Sequence, residues 1–318
     1  MSKDYVYGVS RTHVQEDALL TDADVERLIN SENYDEAIHI LSEKGYAEGS
    51  SVDELICNRR KGLWVFMSEL GIEDELKIFR LSNDFHNLKV AVKTTVLGCS
   101  TDGLTLDFGT IPKEDIILFV KNGDYEKLPD EIGNVAKEAL DVLLKTRDGQ
   151  LCDMIIDRAE METLLSEVKK CKTDFIEDFF RLKVSLLNIK VALRCSATGK
   201  SAEFTERAMA DGTDIDKIEF SKAAADGIDS LIEVIQRSAF SDCIDYVRLS
   251  LADFEKWCDN QLMNLIKPQK TKNFTLSPIV AYLLGVENEI KMVRLILTGK
   301  LNSLPQSVIL ERVREMYG

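Results

Sequence analysis

Phe79-Arg80-Leu81…Asn87-Leu88-Lys89-Val90-Ala91…Gly98 decides how this chain is read, because the pattern returns 101 residues later as Phe180-Arg181-Leu182…Asn188-Ile189-Lys190-Val191-Ala192…Gly199. A third and weaker copy, Leu283…Glu289-Ile290-Lys291, follows after another 101 residues. One residue is then lost, so that Arg194…Thr198-Gly199-Lys200 matches Arg294…Thr298-Gly299-Lys300 at a spacing of 100. A chain built by triplicating one unit is expected to be a symmetric scaffold rather than an enzyme with one asymmetric pocket.

Each copy carries a helical pattern. In the first, apolar residues stand at Ile78, Leu81, Phe85, Leu88, Val92 and Val96; in the second, Phe179, Leu182, Leu186, Ile189, Leu193 and Ala197 keep the register. Steps of three and four define the apolar stripe of an amphipathic helix of about five turns or more. Gly98, Gly199 and Gly299 are expected to stop the three helices in the left-handed conformation. Arg194, Lys200, Arg294 and Lys300 lie near those ends, where the helix dipole favours cations. Glu287 falls where Phe85 and Leu186 stand, so burial in the third copy must differ.

A unit of about a hundred residues exceeds the roughly 20–50 of a solenoid repeat and suffices for a small helical subdomain. Shorter helices are expected upstream of each long one. Asp24-Val25-Glu26-Arg27-Leu28 leading to Asn33-Tyr34-Asp35 resembles Asp115-Ile116-Ile117-Leu118-Phe119 leading to Asp124-Tyr125-Glu126, with a faint third counterpart near Ser221–Ile228. The expectation is an all-α fold of three similar helical subdomains, at 1–108, 109–208 and 209–318. Only Leu104-Thr105-Leu106-Asp107-Phe108 reads as a short extended segment.

The 318 residues carry a net charge of −15, with five prolines. That balance speaks against nucleic acid and against direct docking on anionic lipid, both of which call for basic patches. No apolar run approaches a membrane span, and Met1-Ser2-Lys3-Asp4-Tyr5 opens without a leader core. Cys57, Cys99, Cys152, Cys171, Cys195, Cys243 and Cys258 are odd in number and scattered, as expected of reduced thiols in the cytoplasm.

Sequences that imitate sites fail on spacing. Gly199-Lys200-Ser201 resembles the end of a phosphate-binding loop, but Arg194 occupies the position that requires glycine. Asp174, Glu177 and Asp178 share a helix face without a second acidic motif, which reads as a solvated helix start. His86 is matched by Leu187 in the second copy, and Cys99 and Cys195 have no adjacent histidine, so none forms a catalytic pair. Neither a metal nor a cofactor is expected.

Two terminal segments carry a family resemblance. Tyr5-Val6-Tyr7-Gly8-Val9-Ser10-Arg11 with Leu19-Leu20-Thr21-Asp22-Ala23-Asp24, and Ser277-Pro278-Ile279-Val280-Ala281-Tyr282-Leu283-Leu284…Glu287…Glu289-Ile290-Lys291…Gly299-Lys300-Leu301, resemble the C subunits of archaeal and bacterial V-type ATPases, the counterparts of the eukaryotic d subunit. Gly8-Val9-Ser10-Arg11 departs from that family's richer Ala/Arg run. The resemblance implies a funnel or socket of three subdomains around a pseudo-threefold axis. It implies a non-catalytic central-stalk component on the cytoplasmic face, peripheral to the membrane, joining the shaft formed by the D and F subunits to the membrane rotor ring. Rotation would thereby be coupled to proton or sodium transport. Interface candidates are Arg11 and the lysines that recur in register, Lys89, Lys190 and Lys291; the bland reading of those lysines is snorkelling at the stripe's edge. The alternatives are an independent α-helical scaffold binding partner helices or peptides, and an all-α enzyme with an unrecognised site.

Overall fold

The repeated stripes become helices of 17, 24 and 25 residues. A computed structural model describes residues 5–47, 49, 51–171 and 173–318, and among these no strand occurs. Residues 1–4, where the leader reading falls, lie outside the described set. In chain order the α-helices are α1 (Val6–Glu16), α2 (Asp22–Asn30), α3 (Tyr34–Glu43), α4 (Val52–Glu69), α5 (Glu73–Leu76), α6 (Leu81–Leu97), α7 (Lys113–Asn122), α8 (Asp130–Thr146), α9 (Gly149–Val168), α10 (Asp174–Ala197), α11 (Ala202–Ala208), α12 (Lys217–Asp226), α13 (Ile228–Arg237), α14 (Ile244–Leu249), α15 (Leu251–Ile266), α16 (Ser277–Leu301) and α17 (Gln306–Arg312). No helix among the described residues is long and apolar enough to cross a membrane.

The chain forms two compact units. One is continuous, Asp74–Ile244; the other joins Met1–Glu73 to Asp245–Gly318. In the continuous unit, α6 packs on α7, α8 and α9, and α10 packs on α9, α11, α12 and α13. Phe85, Leu88 and Val92 of α6 enter a core with Ile116, Val120, Ile132 and Ile156. Phe79, Phe179 and Phe180 meet at ring separations of 5.2–6.3 Å. Five of the six apolar stripe positions of the first copy are buried, and Val96 is half-buried. In the second copy Leu182 is only half-buried and Ala197 is exposed, because the buried face turns to include Phe180 and Val184. The first turn of the earlier stripe, Lys77–Arg80, is 3-10 rather than α.

In the discontinuous unit α16 is the central rod, packed by α1, α2, α3, α4, α15, α17 and the 3-10 segment Lys267–Thr271. Its residues are buried nearly all round, as expected for a helix without a continuous polar face. The Tyr317 ring lies so close that a Cβ on Gly285 would meet it at 2.6 Å.

The glycine stops hold in two copies and fail in the third. Gly98 and Gly199 have φ of 67° and 63°. Gly299 instead lies inside α16, where a Cβ would stand 2.9 Å from Ile309 of α17. That glycine serves close packing, and Ser303, at φ 52°, takes the left-handed position. Leu104–Phe108 is turn and loop, not an extended strand.

Leu81 is 8% exposed, so Leu81→Ala should cost about 2–5 kcal/mol in urea denaturation. Leu182→Ala, at a half-buried position, should cost less than about half of that. Equal losses would show that the two helices bury the same face.

Candidate functional site

An irregular loop crossing a helix bundle must pair its buried backbone groups, and with no neighbouring strand a helix side chain has to do it. Asn87 on α6 and Asn188 on α10 are fully buried. The Leu106 N–H donates to Asn87 Oδ1 at 2.8 Å, and Asn87 Nδ2 donates to Leu106 O at 2.9 Å. The Ala210 N–H donates to Asn188 Oδ1 at 2.9 Å, and Asn188 Nδ2 donates to Ala210 O at 2.9 Å. A carboxamide carries both donor and acceptor, so one side chain satisfies both backbone groups of one residue. Leu106 and Ala210 each lie seven residues before the next helix, α7 and α12.

A second grip lies one turn earlier on each long helix. Asp84 accepts from the Thr110 N–H at 2.9 Å, the Thr110 hydroxyl at 2.5 Å and the Ile111 N–H at 3.2 Å. Ser185, the residue in register with Asp84, accepts from the Asp214 N–H at 3.2 Å. Thr110 and Asp214 both lie three residues before the next helix. Burial pushes the Asp84 carboxyl above its ordinary value, with the bonds from Thr110 and Ile111 opposing it. Gly109 has no room for a side chain, since a Cβ would fall on the Asp84 carboxylate.

The third copy places Glu289 in register with the asparagines, and the loop it holds belongs to the other end of the chain. The Leu20 N–H donates to Glu289 Oε2 at 2.7 Å, two residues before α2. A carboxylate only accepts, so its second oxygen takes the Tyr46 hydroxyl at 2.7 Å and Arg59 Nε at 3.1 Å. Burial disfavours the Arg59 cation, yet Glu289 beside it holds the guanidinium above its ordinary value. Burial also raises the Tyr46 phenol. At the next position of α4, Arg60 grips Glu287 with two prongs, Nε–Oε1 at 2.9 Å and Nη2–Oε2 at 2.8 Å. The differing burial expected at Glu287 is thus a half-buried ion pair.

The lysines in register do not share one environment. Lys89 Nζ lies 2.5 Å from Asp157 of α9, and Lys190 is half-buried. Lys291 is 64% exposed and stands 3.9 Å from Asp259. Arg11 pairs with Glu69 at 2.6 Å and lies between the Tyr7 and Phe66 rings. His86 bonds Leu104 O at 2.9 Å, and Ser201 caps α11 through the Phe204 N–H. Lys300 turns from its own helix end to the Ile29 and Ser31 carbonyls at the end of α2. Burial raises the Cys152 thiol to about 11 and the Cys243 thiol to about 12, which leaves both protonated at neutral pH. No cluster of metal-ligating side chains occurs among the described residues. The clamps are present in the sequence as polar residues recurring inside an apolar stripe, a signal that marks a position without naming what it binds.

These features define an all-helical repeat protein whose in-register polar side chains hold its own loops. The chain belongs to the ATP synthase (C/AC39) subunit family, whose model matches residues 65–312. It is 23% identical over 272 residues to the C subunit of the V-type sodium ATPase of Enterococcus hirae, covering 82% of this chain and 81% of that protein. It is also 23% identical over 342 residues to the C subunit of the A-type ATP synthase of Methanocaldococcus jannaschii, covering 94% and 84%. The expected family, that of the V/A-type ATPase C subunits, is therefore the family found.

Asn188→Leu should destabilise the chain by about 1–3 kcal/mol for each Ala210 backbone group left buried and unpaired. Glu289→Ala should cost about 3–5 kcal/mol, because Arg59 loses its carboxylate. Urea melts of both variants check this; an Asn188→Leu protein within about half a kcal/mol of wild type would disprove the clamp.

Proposed function

We propose that this chain is a non-catalytic coupling subunit of a rotary ATPase, seated between the shaft formed by the D and F subunits and the membrane rotor ring. The observation that carries the reading is the in-register clamp on three repeat helices, taken with membership of the C/AC39 family. The buried polar side chains of the repeat are spent on fastening loops, which suits a part that must hold its shape under load. Close-packed helices deform little, and loops pinned to them at the backbone cannot slide.

In this reading three helical subdomains enclose a pseudo-threefold axis as a funnel on the cytoplasmic face. The subdomains are those of residues 1–108, 109–208 and 209–318, each with one long repeat helix, α6, α10 and α16 in turn. Each of the two interfaces needs more than about 1,000 Å² to resist slipping. The net charge of −15 favours a basic shaft tip, although rim charges weaken with salt. Arg11, Lys89, Lys190 and Lys291 are the interface candidates, and Lys291, exposed on the central rod, is the most open of them.

The chain should be retained by an immobilised shaft of D and F subunits and, separately, by rotor-ring membranes at near-physiological salt. Loss of both interactions in a folded sample would overturn the proposal.

A further inference from the structure

α1 ends on a buried carboxylate that three parts of the chain share. Glu16, with its side chain 3% exposed, accepts the Tyr317 hydroxyl on Oε1 at 2.6 Å. His13 Nδ1 lies 2.7 Å from Oε2, and Lys270 Nζ lies 3.6 Å from the same oxygen. On the other side of the ring, His13 Nε2 is 3.1 Å from Asn273 Oδ1. Both ring nitrogens therefore face oxygen acceptors. A neutral imidazole donates from one nitrogen only, whereas an imidazolium donates from both. With the Asn273 carbonyl oxygen facing the ring, only the imidazolium donates from both nitrogens, and the side chain is 36% exposed, open to exchange with solvent.

We infer that His13 is a proton-operated latch. Charged, it fastens the end of α1 to Asn273 and binds the Glu16 carboxylate that also holds Tyr317. Neutral, it surrenders one of its two bonds, and the join of α1 with residues 267–274 and the segment 313–318 loosens.

The groups facing His13 are Glu16 on its own helix, Lys270 and Asn273 on the segment before α16, and Tyr317 behind Glu16. The bond to Glu16 favours the charged ring most strongly; burial and the Lys270 cation oppose it, and the balance holds His13 above the ordinary 6.5. A group whose value is raised in the folded chain contributes stability that is complete below its unfolded value and is lost as pH rises through the folded one. The latch is thus closed on the acidic side and opens as pH climbs through the raised His13 value. It stands on the geometry of one compact unit and is independent of the proposed coupling role.

The test is an NMR titration of the three histidine rings in the full chain, with thermal melts of wild type, His13→Gln and Asn273→Leu. The expected result is a ring titrating above 6.5, assigned to His13 by its disappearance in His13→Gln, and moved down by Asn273→Leu. The stability advantage of wild type over His13→Gln should shrink by about 2 °C or more between about pH 5.5 and 8.5. Asn273 is exposed, so Asn273→Leu supplies the same readout should His13→Gln fail to fold. A His13 ring titrating at or below 6.5, or a stability gap independent of pH, would overturn the inference.

Discussion

The architecture depends on one constraint: loops that cross the helices must find partners for their backbone without a strand beside them. The repeat meets it with a polar side chain placed inside an apolar stripe. An asparagine there matches one backbone N–H and one carbonyl in the same residue, which no apolar or purely accepting side chain does. The second grip, one turn earlier at Asp84 and Ser185, removes the remaining freedom to pivot. Two grips at the same distances before the next helix set where α7 and α12 begin, so the register of the long helix dictates the position of the short one.

Glu289 shows the consequence of changing that rule by one residue. A carboxylate can take the Leu20 N–H but has nothing to donate, and its charge requires a cation once buried. Arg59 of α4 and Tyr46 of the turn after α3 donate to its second oxygen, and Arg59 supplies the counter-charge. The third copy also holds its loop two residues before the next helix rather than seven. Thus the copy that resembles the others least in sequence departs most in wiring.

Much of the fold is legible in the sequence because helical periodicity needs no knowledge of partners. The stripe through Phe85, Leu88 and Val92 is buried as the spacing requires. Leu182 and Gly299 depart from the pattern differently: the buried face of α10 turns to include its own Phe180 and Val184, whereas Gly299 answers to Ile309 of α17, a neighbour that the local sequence does not contain. The clamps are visible as recurrences at 87, 188 and 289, but their partners depend on loop trajectories. Linear spacing is blind to the third loop altogether, since residue 20 precedes its helix by most of the chain.

A buried ion pair is weak evidence for stability, because desolvation offsets most of the attraction. The Glu289 network adds dependence instead. Its carboxylate is satisfied only when the lead-in to α2, the Tyr46 turn and α4 all stand against α16 in one register. Sliding α16 by a residue would swing Glu289 away from Leu20 and leave Arg59 without its counter-charge. An apolar seam tolerates such slips at modest cost, since one aliphatic contact replaces another. The unit assembled from two distant stretches of chain is the one that needs protection from wrong pairings. It is also the one that carries the charged clamp, the Arg60–Glu287 fork and the Glu16–Tyr317 bond between its N-terminal and C-terminal parts.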